Sequence, residues 1–179
     1  MKRITIKDKS FEVNITTSEI QARITELARQ IDTDFNGKKP LFVVVLNGAF
    51  LFAADVFRQI TTDCEIGFIR VSSYAGTQST GHIKNVMGLT QDIAGRSVII
   101  LEDIVDSGDT AVYLLNELKK SSPAEVRFAT LLFKPAALRQ PFRPDYVGFE
   151  VPNDFLVGYG LDYDGYGRNL NEIYKLSLW

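Results

Sequence analysis

Four carboxylates, Glu102, Asp103, Asp106 and Asp109, fall in the segment SVIILEDIVDSGDT (97–110), behind an apolar run and interleaved with Ser107, Gly108 and Thr110. The run SVIIL reads as a buried strand, EDIVDSGD as an acidic turn, and the Ser, Gly and Thr as the opening of a helix. Unpaired main-chain N–H groups at that opening and the positive end of the helix dipole favour a phosphate at Ser107, Gly108, Asp109 and Thr110. Carboxylates beside a phosphate repel it. The conflict resolves for a sugar phosphate: Glu102 and Asp103 accept hydrogen bonds from sugar hydroxyls or hold Mg2+, while the phosphate sits on the amides beyond them.

Rival motifs find no match. The chain has no G-x-x-x-x-G-K-[ST], and Gly158, Gly160, Gly165 and Gly167 do not fit G-x-G-x-x-G behind a strand. Asp162-Tyr163-Asp164 opens like a calcium loop, but Tyr166 holds the third ligand position and no Glu closes it. One cysteine, Cys64, and one histidine, His82, make neither an internal disulfide nor a zinc set nor a catalytic triad. A reducing, cytoplasmic setting is the expectation. A net charge of -2 supplies no general field for a polyanion, so nucleic acid is not an expected partner. The start, MKRITIKDKSFEV, lacks an apolar run of signal-peptide length. Leu41 to Phe57 is broken by Asn47, Gly48 and Asp55 and is shorter than the roughly 20 residues of a membrane span, so no membrane association is expected.

The elements that must position the acids follow from periodicity. Ile20, Ile24, Leu27 and Ile31 form one helical stripe, and Thr16 with Glu19 has the spacing of a capping box; the helix is expected to end near Asn36-Gly37. LFVVVL (41–46) reads as a strand covered on both faces, AFLFAADVFRQI as a helix, and 66–71 as a further strand. A polar segment, 72–85, is too long for a simple turn. The helix behind the acids runs from about Thr110 to Lys120, and VRFATLLF (126–133) is a strand with Lys134 at its carboxyl end. Strand and helix in alternation imply right-handed crossovers and an open parallel sheet flanked by helices, with ligands beyond the strand carboxyl ends. The 179 residues are read as a single α/β domain with its core at about 18–143; the tail from 144, with the segment 1–17, is expected to form a small hood over the crevice.

Five segments in order, VVVLNGAFLFAADV, SSYAGTQSTGHIK, VIILEDIVDSGDT, LLFKP and PDYVGFEVPNDFLVGYGLDYDGYGRNL, resemble the type I phosphoribosyltransferases, and among them the hypoxanthine-guanine phosphoribosyltransferases. The resemblance implies transfer of phosphoribose from 5-phosphoribosyl 1-pyrophosphate to a purine, giving IMP or GMP and pyrophosphate. It implies Asp106 near the purine N7 as proton acceptor, and Lys134 on O6, selecting 6-oxopurine bases. It further implies Phe155 stacked on the base with the Leu156 backbone at its edge. Asp162, with Glu102 and Asp103, is implied to hold Mg2+, and Arg168 to contact pyrophosphate. The turn Leu46-Asn47-Gly48 is implied to offer main-chain N–H groups to pyrophosphate through a cis peptide. Many relatives carry Lys or Arg where Asn47 stands, and a basic or neutral residue where Asp109 stands, so both positions are implied to act through backbone. Ser73 and Tyr74 would belong to a mobile lid that excludes water from an oxocarbenium-like reacting centre. Homodimers or homotetramers are usual in the family. Two neighbouring readings are a regulatory RNA-binding relative, which calls for a basic face, and a sister enzyme for xanthine or a pyrimidine, which Lys134 and the Phe155 tail fit less well.

Overall fold

The computed structural model describes residues 2–73 and 83–177. Its elements run β1 (Arg3–Ile6), β2 (Lys9–Ile15), α1 (Thr17–Asp34), β3 (Leu41–Leu46), α2 (Phe50–Phe57), β4 (Glu65–Ser73) and β5 (Ile83–Met87). They continue with β6 (Ser97–Val105), α3 (Asp109–Lys119), β7 (Glu125–Phe133), β8 (Tyr146–Glu150), β9 (Leu156–Val157) and β10 (Ile173–Leu176).

Local chemistry accounts for the main boundaries. The capping box forms: Glu19 N–H donates to Thr16 Oγ1 at 3.4 Å, and Thr16 N–H donates to Glu19 Oε2 at 2.8 Å. The stripe Ile20, Ile24, Leu27 and Ile31 is buried, and the helix stops at Asp34, slightly before the expected Asn36-Gly37. Leu41 to Val45 are all buried, as a strand sandwiched between two helical layers requires.

The main sheet has the order β5-β4-β3-β6-β7-β8. Strands β4, β3, β6, β7 and β8 are parallel, and β5 lies antiparallel on the β4 edge. Helices α1 and α2 bury Ile24, Leu27, Phe52 and Val56 against Phe42, Val44, Ile99 and Leu101 on one face. Helix α3 buries Ala111, Leu114 and Leu118 against Val43, Val45, Val98 and Ile100 on the other. An antiparallel sheet, β1-β2-β10-β9, forms the hood around Phe11, Val157 and Tyr174. Among the described residues no helix is long and apolar enough to cross a membrane.

Three sequence expectations change. The strand ending at Leu101 continues to Val105, so Glu102 and Asp103 are strand residues and not part of a turn. The β7 ladder pairs Glu102 with Thr130 and Ile104 with Leu132, and past the acids Ile104 is half-buried and Val105 buried. The hood begins beyond Glu150 and not at 144, because YVGFE pairs in parallel with β7 as an outer strand of the main sheet. Gly148 sits so close to the Leu131 carbonyl that a Cβ there would overlap it. The polar segment 72–85 is divided: Ser72 and Ser73 end β4, and Ile83 begins β5.

Candidate active site

Strand β6 delivers the paired acids at its carboxyl end. Adjacent strand residues face opposite sides of a sheet, so Glu102 continues the α3 face of Val98 and Ile100, and Asp103 the α2 face of Ile99 and Leu101. Glu102 lines a pocket with Ile104, Asp106, Ser107, Gly108 and Thr110. Asp103 lies against the Leu46-Asn47-Gly48 turn, where a Cβ on Gly48 would collide with the Asp103 carboxylate. The Leu46-Asn47 peptide is cis.

Burial raises the pKa of Glu102 well above the ordinary glutamate range, and the neighbouring Asp103 charge adds to the effect. Burial also raises Asp103, opposed by hydrogen bonds from Glu102 and the Ile104 N–H and by the charge of Arg168. The two carboxyls interact, and the main-chain N–H of Ile104 donates to Asp103 Oδ1 at 2.9 Å. Buried hard oxygen donors whose ionised forms lack full compensation suit a divalent cation such as Mg2+. Among the described residues no three His, Cys, Asp or Glu side chains gather into one metal-binding group. Asp162, expected as a third ligand, instead pairs with Arg168 Nη2 at 2.6 Å and accepts the Gly165 N–H at 2.7 Å.

The loop expected to receive the phosphate runs from Ser107 to Thr110. Gly108 takes φ +82° at the start of α3, a conformation glycine adopts without steric cost. The Asp109 carboxylate is held within the loop by Ser107 Oγ at 2.8 Å and Gln140 Nε2 at 2.6 Å. These contacts lower its pKa, so Asp109 stays ionised beside the expected phosphate position. Arg139 N–H donates to the Ser107 carbonyl at 2.9 Å, and Leu138 packs against Gly108. The segment after Lys134 therefore clamps the loop. Sequence reasoning missed Gln140, Arg139 and Ile104; Gln140 is 31 residues from Asp109 and no local pattern links them.

At the end of β7, Lys134 Nζ lies 2.9 Å from Asp106 Oδ2. The structure thus brings Lys134, Asp106, Glu102 and the phosphate loop to the carboxyl ends of neighbouring strands, with Asp103, Gly48, Asp162 and Arg168 on the adjoining hood side. Phe155 belongs to the hood: the residue is 44% exposed and its ring packs at 6.2 Å from Phe11 and 5.8 Å from Tyr163. Leu156 pairs with Lys175 across β9 and β10 and is buried beneath the hood. Ser73 closes β4, and Tyr74 with the rest of the expected lid from 74 to 82 lies outside the described residues.

The phosphoribosyl transferase domain profile matches residues 15–164. The chain belongs to that family. A hypoxanthine-guanine phosphoribosyltransferase of Mycobacterium tuberculosis is 44% identical over 172 residues, covering 92% of this chain and 85% of its own length. A bifunctional protein TilS/HprT of Listeria monocytogenes is 44% identical over 160 residues, 89% of this chain; the chain spans only 25% of that longer relative. Among solved structures, the hypoxanthine phosphoribosyltransferase of Trypanosoma cruzi in complex with the product IMP superposes with a TM-score of 0.89 at 35% identity, covering 98% of each chain. The parallel core and antiparallel hood are those of a phosphoribosyltransferase.

Proposed function

We propose that this phosphoribosyltransferase acts in purine salvage, moving the phosphoribosyl group of 5-phosphoribosyl 1-pyrophosphate to hypoxanthine, and to guanine, with release of pyrophosphate. A purine nitrogen attacks the anomeric carbon, the bond from that carbon to the pyrophosphate oxygen breaks, and the base loses a proton. The observation that carries this reading is the Lys134–Asp106 pair at the mouth of the phosphate-loop pocket. Lys134 has three donor hydrogens and uses one on Asp106, so it retains donors for the O6 of an oxopurine; the amino group of adenine would meet it donor to donor. Asp106, half exposed beside it, accepts the proton at the N7 side of the base.

The remaining residues bind and orient. Amides of Ser107, Gly108, Asp109 and Thr110 hold the 5'-phosphate, and Glu102 and Asp103 accept the ribose hydroxyls or carry Mg2+. Two protein carboxylates fit the habit of this ion, which keeps water and substrate oxygens as its other ligands. When bound, Mg2+ neutralises charge on the departing pyrophosphate. The Asn47 and Gly48 backbone and Arg168 contact that group, Asp162 orients Arg168 or reaches the metal's water, Phe155 stacks on the base with Leu156 at its edge, and Ser73 and Tyr74 belong to the lid.

The same reading carries a homodimer or homotetramer, measurable by sedimentation, and a cytoplasmic place of action. The decisive assay supplies the donor and Mg2+ with hypoxanthine, guanine, xanthine, uracil or adenine. Nucleotide formed from hypoxanthine and guanine is expected; no product from any 6-oxopurine overturns the reading.

A further inference from the structure

Asp55 lies on α2, the helix that follows the Asn47-Gly48 turn. Its Oδ2 accepts hydrogen bonds from the Tyr159 hydroxyl at 2.5 Å and from Gln21 Nε2 at 2.7 Å, so α1, α2 and the hood turn at 158–160 meet on one carboxylate oxygen. Tyr159 is 4% exposed. It holds φ +48° between Gly158 at φ +98° and Gly160 at φ +100°. Left-handed backbone is easy for the two glycines and unfavourable for a tyrosine. The buried ring, its hydroxyl contact and the Tyr159 N–H donation to the Leu170 carbonyl at 2.9 Å hold it there.

The turn held in this way touches the proposed pyrophosphate site twice. Gly160 is so close to the Gly48 carbonyl that a Cβ would overlap it. The Gly160 carbonyl accepts Arg168 Nη1 at 2.7 Å, and Gly160 N–H donates to the Arg168 carbonyl at 2.9 Å. Arg168 and Gly48 are thus tied to each other through a single residue, Gly160, and its neighbour Tyr159 is the one anchored to α2.

We infer that Asp55, acting through Tyr159, is a positioning residue for the phosphoribosyl donor: it seats the 158–160 turn on the Gly48 peptide and so sets Arg168 against that peptide. The inference rests on the reading of Gly48 and Arg168 as pyrophosphate contacts. A merely structural role for the pair would lower thermal stability and leave the balance between the two substrates unchanged.

The test uses the full chain with Tyr159→Phe, Asp55→Ala and Asp55→Asn. Tyr159→Phe and Asp55→Ala each raise the KM for 5-phosphoribosyl 1-pyrophosphate about five- to tenfold and leave the hypoxanthine KM within about twofold. Asp55→Asn, which keeps an acceptor oxygen for Tyr159, returns the donor KM close to the parent value. The double variant Tyr159→Phe with Asp55→Ala raises the donor KM no further than Asp55→Ala alone, because Asp55→Ala already removes the acceptor of the Tyr159 hydroxyl along with that of Gln21. Pyrophosphate affinity in the presence of Mg2+, read by calorimetry, falls by the same factor without turnover. An unchanged donor KM and pyrophosphate affinity in both single variants, or donor and hypoxanthine KM rising together, overturns the inference. A parent protein that binds pyrophosphate but forms no nucleotide overturns only the assigned reaction; one that binds no pyrophosphate overturns both.

Discussion

Lys134 Nζ and Asp106 Oδ2 lie 2.9 Å apart, with the lysine side chain 8% exposed and the aspartate 51% exposed. The lysine side chain is buried just beyond β7 while its partner stands at the solvent edge, so the pair joins the end of one strand to the loop beyond another. A buried cation requires such a partner, and the partner here is the residue proposed to take the proton of the base.

Asp106→Asn keeps the hydrogen bond to Lys134 and removes the basic oxygen. It lowers kcat by about 10²- to 10³-fold and leaves the donor KM within about threefold. Lys134→Met removes the donor to O6 and lowers discrimination of hypoxanthine over adenine at least about tenfold in kcat/KM. Steady-state kinetics with both bases measures each change.

Glu102 and Asp103 supply a pH dependence of known sign. Burial raises both pKa values in the folded protein. Their contribution to stability is therefore fully present below the unfolded carboxylate values and is lost as pH rises through the raised folded values. Glu102→Gln flattens that decline and raises the ligand-free thermal midpoint at neutral pH, while weakening Mg2+-dependent donor binding. Binding of Mg2+ with pyrophosphate to the parent protein releases protons, seen as a dependence of calorimetric heat on the buffer's ionisation enthalpy.

Asp109 is an anion placed at a proposed anion site and turned aside by Ser107 and Gln140. Gln140→Ala frees its carboxylate and raises the IMP dissociation constant about three- to tenfold. Asp109→Asn in the same background restores the affinity, and added salt narrows the gap between the variants. Equilibrium titration with IMP at low and high ionic strength checks all three.

Thr16→Ala removes one half of the α1 capping box, whose partners Thr16 and Glu19 take no part in the Ser107–Thr110 loop or the Lys134–Asp106 pair. It lowers unfolding free energy by about 1 kcal/mol with kinetic constants unchanged. Denaturant unfolding and the standard assay separate this change from those at the site.

What the sequence by itself determined was local. The Thr16–Glu19 cap, the stripe from Ile20 to Ile31, the buried runs at 41–46 and 97–101 and the helix behind Gly108 all depend on residues within one or two turns or one strand, and pattern records such relations directly. The four acids around the Ser107–Thr110 turn were legible for the same reason, and the order of five motifs carried the family. Tertiary structure alone decided that YVGFE joins the parallel sheet, that Glu102 and Asp103 face opposite sides of a strand, and that Asp162 turns to Arg168. It alone brought Gln140 to Asp109 and Tyr159 to Asp55, 31 and 104 residues apart in sequence. Those partners are selected by strand order, register and the packing of the hood on α2, and no spacing within either segment encodes which distant group will arrive.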